Sequence, residues 1–147
     1  MTHKTMHGTC TRVLVAGVML TALAACSSPP ALRCQQGESL QFHDLLYFGT
    51  AIGNPPEEEV SQRQWQGFVD DVLSEYFPDG LTVIQAAGQW KPASGDTVRE
   101  RSYVLSLVHP GSPEIETSIS AVIDRYKRMF NQKTVLRVRS PACVAFR

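Results

Sequence analysis

The chain lacks a long apolar run, an excess of charge of either sign, and any familiar catalytic signature. Its most apolar stretch, residues 13–25 (VLVAGVMLTALAA), holds 13 residues, where a membrane-spanning helix needs about 20. Fourteen basic residues balance 14 acidic ones, so no basic field points to nucleic acid and no charged tail points to disorder. GxSxG, HExxH, Walker A and GxGxxG are all absent, which removes the sequence marks of the commonest hydrolases, metalloproteases and nucleotide binders. Histidine is scarce, and the four cysteines show neither CxxC nor CxxH spacing, so no metal or other cofactor is expected. Neither a repeat nor a low-complexity segment occurs. What is there is an ordinary composition: 147 residues, 43% hydrophobic, with nine prolines and ten glycines, enough for one globular domain.

The first 25 residues read as an address. Residues 1–12 are polar with Lys4 and Arg12, the apolar run follows, and small residues lead into Cys26, the three-part pattern of a secretory signal. Leu23-Ala24-Ala25-Cys26 resembles the lipobox of bacterial lipoprotein signal peptides. That resemblance implies cleavage after residue 25, diacylglycerol on the Cys26 sulfur and often a further acyl chain, such as palmitate, on its amine. Each buried methylene contributes about 0.8 kcal/mol, so two or three chains hold a protein on a bilayer where one is marginal. The expected partner is thus a membrane, reached through the N-terminal lipid. Ser27, in place of aspartate, looks like the outer-membrane sorting signal of Gram-negative lipoproteins, which places the domain in the cell envelope, facing the periplasm in such a bacterium. Loss of Lys4 and Arg12 leaves 12 basic residues against 14 acidic ones, a poor match to a polyanion.

Processing sorts the cysteines. Cys10 is removed, Cys26 takes lipid, and Cys34 and Cys143 remain near opposite ends of the mature domain. In an oxidising compartment an even pair reads as a disulfide; two thiols as part of a metal site are the weaker alternative. Closing so long a loop stabilises a fold by roughly 2–4 kcal/mol in the chain-entropy picture.

Residues 26–39 form the lipidated start and a tether, and 40–147 the domain. LQFHDLLYFGTAIG (40–53) ends in a strand, and its paired apolar neighbours Leu45/Leu46 and Tyr47/Phe48 suit a central position. NPPEEE (54–59) reads as a loop. Ser61-Gln62-Arg63-Gln64 has the form of a capping box. Behind it Trp65, Phe68, Val69, Val72, Leu73 and Tyr76 make a helical stripe that FPDG closes. GLTVIQAAGQW (80–90) is a strand, KPASGDT (91–97) a turn, and VRERSYVLSLVH (98–109) a strand with clear period two. Ser112 caps a second helix with Pro113 in its first turn and Glu114 and Glu116 at its positive end. Its buried stripe is Ile115, Ile119, Val122, Ile123, Tyr126 and Phe130. KTVLRVR (133–139) is the last strand. The order β-α-β-β-α-β is that of the α+β ferredoxin-like sandwich, four antiparallel strands with two helices on one face. In that topology the start of the first strand lies beside the end of the last, where Cys34 and Cys143 fall.

LYFG (46–49), WQGF (65–68), FPDGLTV (77–83), GQW (88–90), RERS (99–102) and YKRMF…QKTVLRV (126–138) together resemble a bacterial lipoprotein domain family of unknown function (domain of unknown function 3574). The resemblance covers about residues 40–146. It implies a small secreted or lipid-anchored α+β domain and supplies no catalytic residues.

The sheet face opposite the helices is the candidate site. Tyr103, Leu105 and Leu107 toward the helices leave Glu100, Ser102, Val104, Ser106 and Val108 on the other side. Tyr47 or Phe48, Trp90, and Arg137 with Arg139 are expected to join them, although Trp90 fits the core equally well. His109, before Pro110-Gly111, is a further candidate for this face; it reads first as an exposed loop residue and second as a base or ligand. Glu100, between Arg99 and Arg101, reads first as a partner in a surface cross-strand ion pair. A face so apolar invites cover. A second copy, giving a homodimer, or another protein ranks first, an unidentified small ligand held by arginines and Trp90 second, and a small envelope enzyme third.

Overall fold

The computed structural model describes residues 32–53, 56–91, 93 and 95–147; residues 1–25, Cys26 and the first part of the tether, to residue 31, lie outside them. Alternation along the chain becomes a four-stranded sheet in the order β4-β5-β1-β6. Its strands are β1 (Ser39–Gly49), β4 (Thr82–Trp90), β5 (Val98–His109) and β6 (Leu136–Val144), and every neighbouring pair is antiparallel. Between β1 and the first helix, β2 (Ala51–Gly53) and β3 (Pro56–Glu59) pair as a separate two-stranded sheet. The acidic stretch expected to be a loop is therefore partly strand. It is anchored by Val60, fully buried, whose N–H donates to the Thr50 carbonyl at 2.8 Å.

The first helix starts as its capping box dictates, with Ser61 and Gln64 each accepting from the other's backbone. It runs as α1 (Gln62–Phe68), passes through a π-helical segment (Val69–Leu73) and ends in α2 (Ser74–Tyr76). A π-helical turn adds a residue to the helical repeat. Accordingly Tyr76 turns outward, and Phe77 takes the core position that simple helical spacing gives to it. Helix α3 (Pro113–Met129) is capped by Ser112 as expected. Strand β6 begins three residues later than the sequence pattern indicates and continues through Pro141. Proline is tolerated because β6 is an edge strand.

The helices cover one face of the sheet. There Leu46 and Phe48 of β1 and Tyr103, Leu105 and Leu107 of β5 meet Trp65, Phe68, Leu73, Ile119, Val122 and Tyr126. Trp65 stacks on Tyr103 with centroids 4.2 Å apart, and Phe48 meets Tyr126 edge-on at 4.7 Å; each such pair adds about 0.5–1.5 kcal/mol beyond its burial. Tyr126 also donates to the Gly49 carbonyl at 2.8 Å. Burial, and the nearby Glu100 and Tyr103, push its phenol well above the usual range. Cys34 and Cys143 are disulfide-bonded with Cα atoms 5.3 Å apart. This is the ferredoxin-like β-α-β-β-α-β sandwich, with an added hairpin.

Candidate functional site

Register decides which side chains share a face, because neighbours directly opposite across a sheet point the same way. Tyr47 lies opposite Val104 and Leu136, Leu45 opposite Ser106 and Val138, Gly88 opposite Glu100, and Trp90 opposite Val98. All of these lie on the face away from the helices. Leu136 there is 60% exposed and Ile84 50%, and Trp90, Val108 and Val138 are also exposed. Among the described strand residues of this face there is no lysine or arginine, and Glu100 is the one carboxylate. His43, also on it, is hydrogen-bonded to Ser106 at 2.8 Å.

Glu100 does not form the expected cross-strand ion pair. Arg99 donates to Gln89 at 3.1 Å and Arg101 pairs with Glu59 on the hairpin. The Glu100 carboxylate instead accepts the Ala51 N–H at 2.6 Å. It reaches that donor by lying across Gly49, where a Cβ would meet its oxygens at 2.9 Å. With Gly88 opposite, Glu100 sits between two positions that carry no side chain. Glu59, Gln89, Arg99 and Arg101 border an open cavity of about 470 Å³ beside it.

The other three expected members of this face are elsewhere. Arg139 lies opposite Asp44, Arg137 opposite Leu46, and His109 opposite Phe42, which puts all three on the helix side. His109 is buried, not an exposed loop residue. Asp44, which apolar patterning alone does not single out, binds two of them, Arg137 and His109. It is fully buried and accepts from Arg137 Nε at 3.1 Å, from Arg137 Nη2 at 2.6 Å and from His109 Nε2 at 2.7 Å. Arg137 also spans to Glu116 in the first turn of α3, at 2.9 and 3.1 Å, and Arg139 reaches the same carboxylate at 2.6 Å. The Arg139 guanidinium lies 3.6 Å over the Phe42 ring.

Electrostatics follow from these contacts. Burial pushes the Asp44 carboxyl up, but hydrogen bonds and charge from Arg137 and His109 outweigh it and hold the group below the usual carboxylate range. Hydrogen bonding to Arg137 lowers Glu116 as well, and hydrogen bonds to Asp44 and Glu116 push Arg137 higher still. His109 Nδ1 accepts the Gly111 N–H at 3.0 Å while Nε2 donates to Asp44. Both ring nitrogens are occupied, so the imidazole has no free nitrogen to serve as a base. Gly111 holds that contact at φ +78°, where a Cβ would strike the Phe42 ring at 2.5 Å. Asp44, His109 and Glu116 lie close enough together to hold a cation, but the Arg137 guanidinium fills that place. Cys34 and Cys143, near Glu38, are committed to the disulfide. The cluster is a structural knot joining β1, β5, β6 and α3. Two sequence signals point to it: Asp44, an acid between Phe42 and Leu46 on the covered face of a central strand, and the parity of His109 with Leu105 and Leu107.

A family model matches residues 43–146, most of the chain. The chain belongs to the family described as Protein of unknown function (DUF3574). No curated protein matches this family member in sequence. Among solved structures, a phage SAM lyase in complex with S-methyl-5'-thioadenosine is similar at 14% identity and a TM-score of 0.52, covering 80% of this chain and 97% of the lyase. The same lyase in its apo state gives 13% and 0.50 with the same coverage. CutA from Synechococcus elongatus gives 9% and 0.47, over 74% of this chain and 87% of that one. At such identities the likeness is one of fold.

Proposed function

We propose that this protein is a lipid-anchored module of the bacterial cell envelope that works by associating with a second copy through its open sheet face. One observation carries this reading: a sheet face that no helix covers, on which Ile84, Trp90, Val108, Leu136 and Val138 are exposed and whose described strand residues include no lysine or arginine and a single carboxylate. Interface cores are depleted in charge in this way, and a face with a single carboxylate brings little like-charge repulsion to a contact with its own copy. Four strands about 4.8 Å apart and some nine residues long present roughly 20 by 30 Å, on the order of 600 Å² per copy. A pair then buries about 1,200 Å², just above the lower bound for a specific interface, as suits a reversible dimer. Sedimentation of the mature domain across a wide concentration range tests this: mass should rise from monomer toward dimer. The anchor is tested separately by fatty-acid labelling in bacteria, which Cys26→Ser should abolish.

A second reading, a small-ligand site on the same face, is favoured by Glu100. It is the face's single charge, set between Gly49 and Gly88 with Trp90 a diagonal neighbour across the strands. The phage lyase of like fold binds S-methyl-5'-thioadenosine, so that nucleoside is the first probe. Saturable binding lost in Glu100→Gln, with the domain monomeric throughout, would favour this reading over self-association.

A further inference from the structure

Apart from the open face and from Tyr76 and Met129, the exposed large apolar side chains among the described residues lie toward one end of the domain. Leu32 is 49% exposed, Leu40 57% and Phe146 95%. All three surround the disulfide. Leu40 lies opposite Cys143 in the β1–β6 register, Leu32 stands two residues before Cys34, and Phe146 follows Cys143 by three. The flanking charges there are Arg33 and Arg147, against Glu38, whose carboxylate accepts the Gln35 N–H. An apolar end edged by arginine matches the boundary of a bilayer, where aliphatic and aromatic groups enter the headgroup layer and guanidinium groups meet phosphate.

We infer that this end of the domain, made of Leu32, Leu40 and Phe146 with Arg33 and Arg147, seats on the lipid surface. The inference rests on the acylation of Cys26. Six peptide steps separate Cys26 from Leu32 and span at most roughly 22 Å, so an acylated Cys26 keeps Leu32 within that distance of the headgroups. The disulfide then carries the constraint to β6, because Cys34 is bonded to Cys143. Strands β1 and β6 meet the surface at their disulfide-bearing ends, so the sheet rises from the bilayer. Its open face then looks sideways, toward other anchored copies, which is the orientation that lateral self-association needs.

The test uses the full acylated protein on vesicles of phosphatidylethanolamine and phosphatidylglycerol containing a photoactivatable phospholipid, with labelled positions read by peptide mass. Labelling is expected at Leu32, Leu40 and Phe146 and not at Ile84 or Val108 of the open face. A Leu40→Ser, Phe146→Ser double variant should stay acylated and vesicle-bound, and its labelling at this end should fall several-fold. Acylated Cys26 with labelling confined to residues 26–31 would overturn this inference alone. Absence of an acyl group on Cys26 would overturn both this inference and the anchor on which it rests.

Discussion

The two faces of the sheet reverse the usual distribution of charge. The face covered by helices carries Asp44, His109, Arg137 and Arg139, while the uncovered face carries Leu136, Val138, Ile84 and Val108. On the covered side these four groups are paired with one another or with Glu116, His109 and Arg137 with Asp44 and Arg139 with Glu116. Arg137 alone is shared between a bidentate contact to Asp44 and a second pair of contacts to Glu116. On the open side Leu136, Val138, Ile84 and Val108 remain exposed among the described residues. Charge is tolerated under cover when it is fully paired, and apolar surface is retained in the open when something else is to cover it. The first condition ties α3 to the sheet and is a matter of stability. The second leaves the surface on which the proposed association rests.

The largest expected effect breaks the covered side. Arg137→Ala strands the buried Asp44 carboxylate and should destabilise the domain by about 3–5 kcal/mol in denaturant unfolding. The same knot sets an acid limit. Asp44 is held below its ordinary range in the folded state, so near pH 4 the unfolded chain binds more protons than the native one. The stability is complete above the unfolded carboxyl value of about 3.9 and is lost as pH falls through the lowered native value. A melting temperature level above about pH 5 and falling steeply below about pH 4 is expected, and Asp44→Asn should flatten that fall while lowering stability at neutral pH.

A smaller effect belongs to Tyr103, also on the covered side. Its hydroxyl is the one buried side-chain polar atom without a partner among the described residues. Tyr103→Phe keeps the stack on Trp65 and removes the unmet group, so thermal unfolding should show a change between zero and a gain of about 1 kcal/mol. Smallest of all is the effect of the open face on stability. Leu136→Glu, on the edge strand β6, should shift monomer unfolding by no more than about 0.5 kcal/mol, although it adds a charge to the proposed contact.

Much of this molecule is written locally in the chain. Period two sets β5, Ser61 and Ser112 cap their helices, and the apolar stripe of α3 is the stripe that is buried. The side of the sheet to which β6 turns is not local. Its alternation Leu136-Arg137-Val138-Arg139 invites the reading that the leucine and valine go inside, and register with Asp44 and Leu46 sends the arginines there instead. What overrides the pattern is a carboxylate on another strand and another on α3, neither visible from β6. His109 differs, because its parity with Tyr103, Leu105 and Leu107 already places it on the helix side; the loop-like Pro110-Gly111 obscured that. The β2–β3 hairpin escapes sequence reading because proline and glutamate are depleted in strands. The outward turn of Tyr76 follows from a π-helical segment that ordinary helical spacing does not announce.

The central claim is that the open face is a contact surface between copies, and sedimentation of wild type beside Leu136→Glu tests it most directly. The account predicts a wild-type mass that climbs toward dimer with concentration, and a variant of unchanged melting temperature that stays monomeric at least tenfold higher, equivalent to about 1.4 kcal/mol of association free energy. Identical masses for the two proteins at every concentration would contradict it.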